Sequence, residues 1–157
     1  MKTTLEEARE ASHDNLVENL QALLEKSYDA EEGFKTAMIE SEHAGLKEFL
    51  KTQAANRSAF QNELSDAILN LNETPKDSGS VTGKIHRAWM DIKTSVSSDK
   101  EEAMLEECLR GDKASVSQYE DVLENNNLPL AIQTIVTRQL DHVQKVVSTV
   151  KTLEDLV

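Results

Sequence analysis

Residues 73–99 read ETPKDSGSVTGKIHRAWMDIKTSVSSD. The stretch holds two of the five glycines, one of the two prolines and the single tryptophan. Long amphipathic patterns lie on both sides of it. It is therefore read as a long connection between two helical hairpins. Asp77-Ser78-Gly79-Ser80 has loop composition. Over residues 81–95, Ile85, Trp89 and Ile92 share one helical face, which predicts a short helix within the connection. Ser98, three residues before Glu101, reads as a capping box opening the third long helix.

Upstream, Leu16, Leu20, Leu23, Ser27, Ala30, Phe34 and Ala37 recur at steps of three and four, forming one stripe of a first helix that runs from Asp14 to near Ser41. Residues 1–12 are polar and are expected to be a short or frayed lead-in, with Thr4 and Glu7 as a capping box. His43 and Gly45 mark a reversal. The second helix carries Leu46, Leu50, Gln53, Arg57, Phe60, Leu64, Ala67 and Leu71, and stops at Asn72 ahead of Thr74-Pro75. Each of these helices is about 28 residues, roughly 42 Å. Downstream, the third helix shows Leu105, Cys108, Asp112, Ser115, Tyr119 and Val122, and ends at Asn125-Asn126-Asn127. Pro129 suits the first turn of the fourth, which shows Ile132, Ile135, Gln139, His142, Val146, Val150 and Leu153. Residues 13–157 are thus read as one all-α domain. Its architecture is a four-helix bundle with one long crossover connection, the arrangement of ferritin-like folds.

Composition agrees and excludes some functions. At 157 residues the chain is long enough to bury roughly 70% of its unfolded surface. Aromatic residues are only 4%, so the core must rest on aliphatic side chains. Seventeen basic residues stand against twenty-nine acidic ones, a net charge of −12. Such a surface repels nucleic acid and anionic membrane, since both need Lys and Arg to replace counterions. The single cysteine, Cys108, excludes an internal disulfide and fits a reducing, cytoplasmic setting. No apolar run suggests a signal peptide or a transmembrane helix.

Every apolar stripe is interrupted near its middle: by Ser27, by Gln53 and Arg57, by Asp112, and by Gln139 and His142. Antiparallel registers bring these residues to similar heights, the level at which such bundles hold metals. The di-iron recipe is one Glu from each of two helices and Glu-x-x-His from the other two. Here the second helix offers Arg57 and Phe60 in place of Glu and His, and a guanidinium cannot ligate a cation. The fourth offers Gln139 and His142. Asp112 and His142 remain as the weak alternative for iron; the favoured expectation is no metal and no cofactor. In its place, Arg57 is expected to pair with Asp112, with Gln53, Gln139 and His142 completing the hydrogen bonds. The competing reading has Arg57 snorkelling to the surface.

Residues 79–91, GSVTGKIHRAWMD, resemble the signature of a bacterial family of ferritin-like four-helix-bundle proteins catalogued as a domain of unknown function. Glu106-Glu107-Cys108-Leu109-Arg110-Gly111-Asp112, followed by Tyr119, is similar to that family's Glu-rich segment. The resemblance covers about residues 13–155 and implies a rubrerythrin- or ferritin-like fold with no established activity. Asp112 stands where the family more often has glutamate, which weakens any inherited metal site.

Within the crossover motif, Gly79, Ser80, Gly83, His86, Arg87 and Trp89 could bind an anion or a partner. The favoured reading is that Trp89 anchors the crossover helix and His86 and Arg87 bridge it to the bundle. The glycines form no phosphate loop, because no strand precedes them and no Gly-Lys-Ser/Thr follows. Cys108 reads as a small buried hydrophobe, Tyr28 and Tyr119 as core-edge packing, and His13 and His43 as exposed. No nucleophile–base arrangement is defended by spacing alone. The function expected is non-catalytic: self-association or binding of a protein partner, in a stress or maintenance response. The alternative is a metal-binding or di-iron-type oxidoreductase or storage protein with a degenerate site.

Overall fold

A computed structural model of the chain describes residues 1–80, 99–125 and 127–156. The described residues form an all-α bundle of four helices: α1 (Thr4–Glu40), α2 (Ala44–Asn70), α3 (Lys100–Asn125) and α4 (Leu130–Thr149), followed by a 3-10 turn at Leu153–Asp155. The expected helix around Ile85, Trp89 and Ile92, the motif residues Gly83, His86 and Arg87, and the Ser98 cap lie outside the described residues.

Local chemistry explains the helix ends. The capping box of α1 is one residue earlier than the spacing suggests: Thr3 Oγ1 accepts the Glu6 N–H, and Glu6 accepts the Thr3 N–H at 2.7 Å. The helix then runs unbroken through the lead-in, so α1 has 37 residues against 27 in α2. Two histidines expected at the surface are half-buried and bonded. His43 caps α2, its Nδ1 accepting the Leu46 N–H at 3.0 Å. The His13 ring lies 3.0 Å from Glu73 Oε1. Helix α2 closes on Asn72 at φ 63°, a left-handed conformation that Asn tolerates. The Asn72 and Glu73 N–H groups reach back to the carbonyls of Leu69 and Ile68, a Schellman cap. Pro129 is the cap of α4 rather than a residue of its first turn.

Helices α1 and α2 form the most extensive pair, then α3 and α4; α1 also packs on α3, and α2 on α4. Helices α2 and α3 therefore face each other across a diagonal. Glu101, in the first turn of α3, accepts the Glu42 N–H at 2.9 Å and the Ser41 hydroxyl. Burial opposes its charge, but these donors and the His43 N–H hold its carboxyl below the ordinary range. That contact fixes the start of α3 beside the α1–α2 turn, whereas α2 ends beside His13. The crossover must therefore travel from the level of His13 to that of Glu42, roughly 40 Å along α1 at 1.5 Å per residue.

Its first part follows one side of α1. Gln21 donates to the Thr74 carbonyl at 2.8 Å and accepts the Lys76 N–H at 2.9 Å. The Lys76 ammonium meets Glu25. Asp29 accepts both the Ser80 N–H and the Ser80 hydroxyl at 3.0 Å. Residues 21, 25 and 29 are spaced by four, so they lie within about 80° of one another on one side of the helix. Gly79 is needed here because a Cβ would lie 2.1 Å from Asp29 Oδ1. Gly45 serves a similar purpose at the other end, where a Cβ would meet the Leu156 carbonyl at 2.1 Å. The C-terminal turn can thus lie against the start of α2 while Leu153 and Leu156 pack on the core.

The core is two apolar clusters. One holds Leu20, Leu23, Leu24, Phe60, Leu64 and Tyr119 with their neighbours; the other holds Phe34, Leu46, Leu50, Met104, Leu105 and Cys108 with theirs. Leu24, off the main stripe, is fully buried and widens the first cluster. On α4 the buried face is Ile132, Val136, Gln139, Leu140, Val143 and Val146, rotated from the expected stripe so that Ile135 and His142 are only half-buried.

Replacing Gly79 by Ala should push the Asp29 carboxylate off Ser80. We expect a loss of about 1 kcal/mol, the worth of the hydrogen bonding given up, and faster amide exchange at Ser80. Unchanged exchange in Gly79→Ala would count against this anchor.

Candidate functional site

Between the two apolar clusters lies a polar level. Ser27 from α1, Gln53 and Arg57 from α2, Asp112 from α3 and Gln139 from α4 are all buried there. Each replaces an apolar residue on its stripe without breaking the helix, so the backbone carries the polar groups inward.

The centre of this level is an ion pair. Arg57 is 1% exposed and Asp112 2%. Arg57 Nη2 donates to Asp112 Oδ1 at 2.8 Å, joining the diagonal helices α2 and α3. The guanidinium also lies 5.8 Å from the ring centroids of both Phe34 and Phe60. Those rings belong to different clusters, so the cation bridges them through its π contacts. Among the described residues, no donor reaches Asp112 Oδ2. Burial pushes the Asp112 carboxyl up to about 6, and the guanidinium offsets only part of that rise.

Gln139 and His142, expected to complete the pair, make their hydrogen bonds elsewhere. Gln139 Oε1 accepts the Tyr119 hydroxyl at 2.7 Å, and its Nε2 donates to Glu63 Oε1 at 3.2 Å and the Phe60 carbonyl at 3.4 Å. Tyr119 is buried in this network rather than at the core edge, and burial pushes its phenol up to about 12, keeping it a neutral donor. His142 Nε2 lies 2.9 Å from Asn56 Nδ2, and its ring meets the edge of Phe60 at 5.6 Å. An amide donor on Nε2 requires the neutral tautomer protonated at Nδ1. Burial, then the charges of Arg57 and Lys145, hold His142 below its ordinary value. Ser27 donates to the Leu23 carbonyl at 3.0 Å, and its own carbonyl accepts from Gln61 at 3.2 Å. Asn56 and Glu63 lie off the apolar stripe of α2, and periodicity alone does not single them out; Gln61, four residues after Arg57, is buried beside the stripe.

The donor set does not fit two carboxylate-bridged irons. Among the described residues it holds one buried carboxylate, that of Asp112, and one oxygen of that group already faces a guanidinium. Asp112 turns to Arg57 while His142 turns to Asn56, so the weak ligand pair is not assembled. Among the described residues, no group of three His, Cys, Asp or Glu side chains converges as a metal site. Cys108, one turn before Asp112, is buried; burial, then the charges of Asp112 and Glu107, push its thiol well above its ordinary range. Neutral and inaccessible, it is not poised as a nucleophile. On the surface of α3, Arg110 pairs with Glu107, Nε to Oε2 at 2.9 Å. From the crossover motif, Gly79 and Ser80 reach Asp29 on the far side of α1 and not this level.

Breaking one half of a buried pair strands the other charge. Arg57→Ala and Asp112→Ala should each cost about 3–5 kcal/mol in urea unfolding. The double replacement Arg57→Met with Asp112→Leu should recover most of that loss. An unchanged midpoint in Arg57→Ala would remove the pair from any structural role. For His142, the neutral ring is favoured in the fold, so its contribution to stability is present above about pH 6.5 and is lost as pH falls through the lower folded value. Ring titration by proton NMR should show a midpoint below 6.5; one above it would contradict the Asn56 hydrogen bond.

No described helix is long and apolar enough to cross a membrane. None of the curated proteins matches the chain. Residues 15–125 match the family described as domain of unknown function (DUF2383), a span that takes in most of α1, all of α2 and α3 and both partners of the central ion pair, and stops before α4. With well over half of its length matched, the chain belongs to the DUF2383 family.

Proposed function

We propose that the chain is a non-catalytic, ferritin-like helical bundle that acts by association, with further copies of itself or with another protein, in a bacterial cytoplasm. The observation that carries this reading is the Arg57–Asp112 pair. It occupies the level at which bundles of this architecture hold metals, and it spends the one carboxylate buried among the described residues on a cation the chain supplies itself. The relationship to rubrerythrin and ferritin, and a role in stress or maintenance, rest on the sequence resemblance. A reducing compartment is supported by the lone, buried cysteine.

Association has apolar surface to draw on. Leu69 is 55% exposed near the end of α2, and Leu130 is 79% exposed at the start of the antiparallel α4. The Phe60–Gln139 and Asn56–His142 contacts set a register that brings both leucines to the same end of the bundle. With a net charge of −12, copies of the chain repel at low ionic strength, and salt screens that repulsion.

Light scattering after size exclusion should give a mass that is a multiple of the chain's and that grows with salt. Leu69→Lys with Leu130→Lys should reduce it to one chain. Protein from cells grown with iron and manganese should retain neither metal after dialysis. Near-stoichiometric iron surviving dialysis, with a strictly single-chain mass, would overturn the proposal.

A further inference from the structure

The two halves of the diagonal pair are unequally supported. Arg57 has a carboxylate and two aromatic rings around its charge, whereas among the described residues Asp112 has a single donor, on Oδ1. An ionised carboxylate accepts up to about four hydrogen bonds, and no described donor reaches Oδ2. At 2% exposure, solvent does little to make up the difference.

We propose that Asp112 is a proton-responsive group built into the centre of the bundle. In mildly acidic medium Oδ2 takes up a proton, and the ion pair across the diagonal becomes a neutral acid hydrogen-bonded to Arg57. The bond formed is Oδ2–H, the proton comes from solvent, and no other bond breaks. Arg57 remains charged on the faces of Phe34 and Phe60, so the diagonal contact survives the change.

The surroundings favour this. From α2, the charged groups at this level are Arg57 and, farther off, Glu63. From α3 they are Glu107, Cys108 and Tyr119; the last two stay neutral because burial raises both. From α4 they are His142, held neutral, and Lys145. Helix α1 contributes Ser27 and Phe34, which do not titrate. Among the described residues, Arg57 is the one buried cation opposing protonation, and burial outweighs it.

The fold therefore binds this proton more tightly than the unfolded chain does. Through Asp112, stability is greatest below about pH 4 and declines as pH rises to about 6. His142 acts in the opposite sense over part of the same range, so it must be separated from Asp112.

Carbon-13 NMR of the Asp112 carboxyl in the full chain separates them directly. We expect a midpoint near pH 6, about two units above an ordinary aspartate. In a His142→Gln background, the urea midpoint should rise on going from pH 7.5 to 5.5, and the additional change Asp112→Asn should abolish that rise. A carboxyl signal still fully ionised at pH 4.5 would overturn the proposal. Should the Asp112→Asn chain fail to fold, the carboxyl titration decides alone.

Discussion

A charge cannot be buried without something to answer it, and the architecture of this bundle is arranged around one such answer. Arg57 and Asp112 sit on helices that do not pack side by side. Their contact fixes the relative heights of α2 and α3, the two helices separated by the whole crossover. A slip of either helix by one turn would strand both charges in apolar surroundings, at a cost of several kcal/mol per ion. Aliphatic side chains could fill the same space with equal or greater stability, but they would tolerate such a slip more readily. A register role is the best attested use of a buried pair, and the division of the core into two clusters above and below this level fits it.

The crossover imposes the second constraint. A short link after α2 would send the third helix back from the end where α2 stops. Helix α3 instead begins at the opposite end of α1 from where α2 stops, and the contacts from Gln21, Glu25 and Asp29 lay the first residues of the crossover on the outer face of α1. Helices α2 and α3 are thereby parallel, which sets Arg57 and Asp112 at one height. Asp29 and Gly79 are therefore as much a part of the core's geometry as the residues inside it, although they lie on the outside.

Much of this is legible in the residues. Steps of three and four locate all four helices, and the interruptions at Ser27, Arg57, Asp112 and Gln139 locate the polar level, because a stripe of period 3.6 shows its exceptions. The escapes have physical causes. His43 is not among the usual capping residues, so its role at α2 follows only from where its ring sits. Thr3 and Thr4 both precede a glutamate by three residues, and spacing cannot choose between two adjacent boxes. The buried face of α4 is rotated because Val136, Leu140 and Val143 offer an apolar stripe alternative to Ile135 and His142. Hydrogen-bond partners such as Asn56 and Glu63 depend on neighbouring helices, which no single helix's pattern encodes.

The burial of Cys108 has a consequence for how the molecule can be observed. Its sulfur is one turn from a buried acid, in a setting that opposes the thiolate. Alkylating reagents attack thiolates, so the intact bundle gives them nothing to consume. Modification must wait for a molecule whose helices have parted, and its rate then counts such openings. The chain thus carries a native clock for the breathing of its own interior, with no label to be engineered.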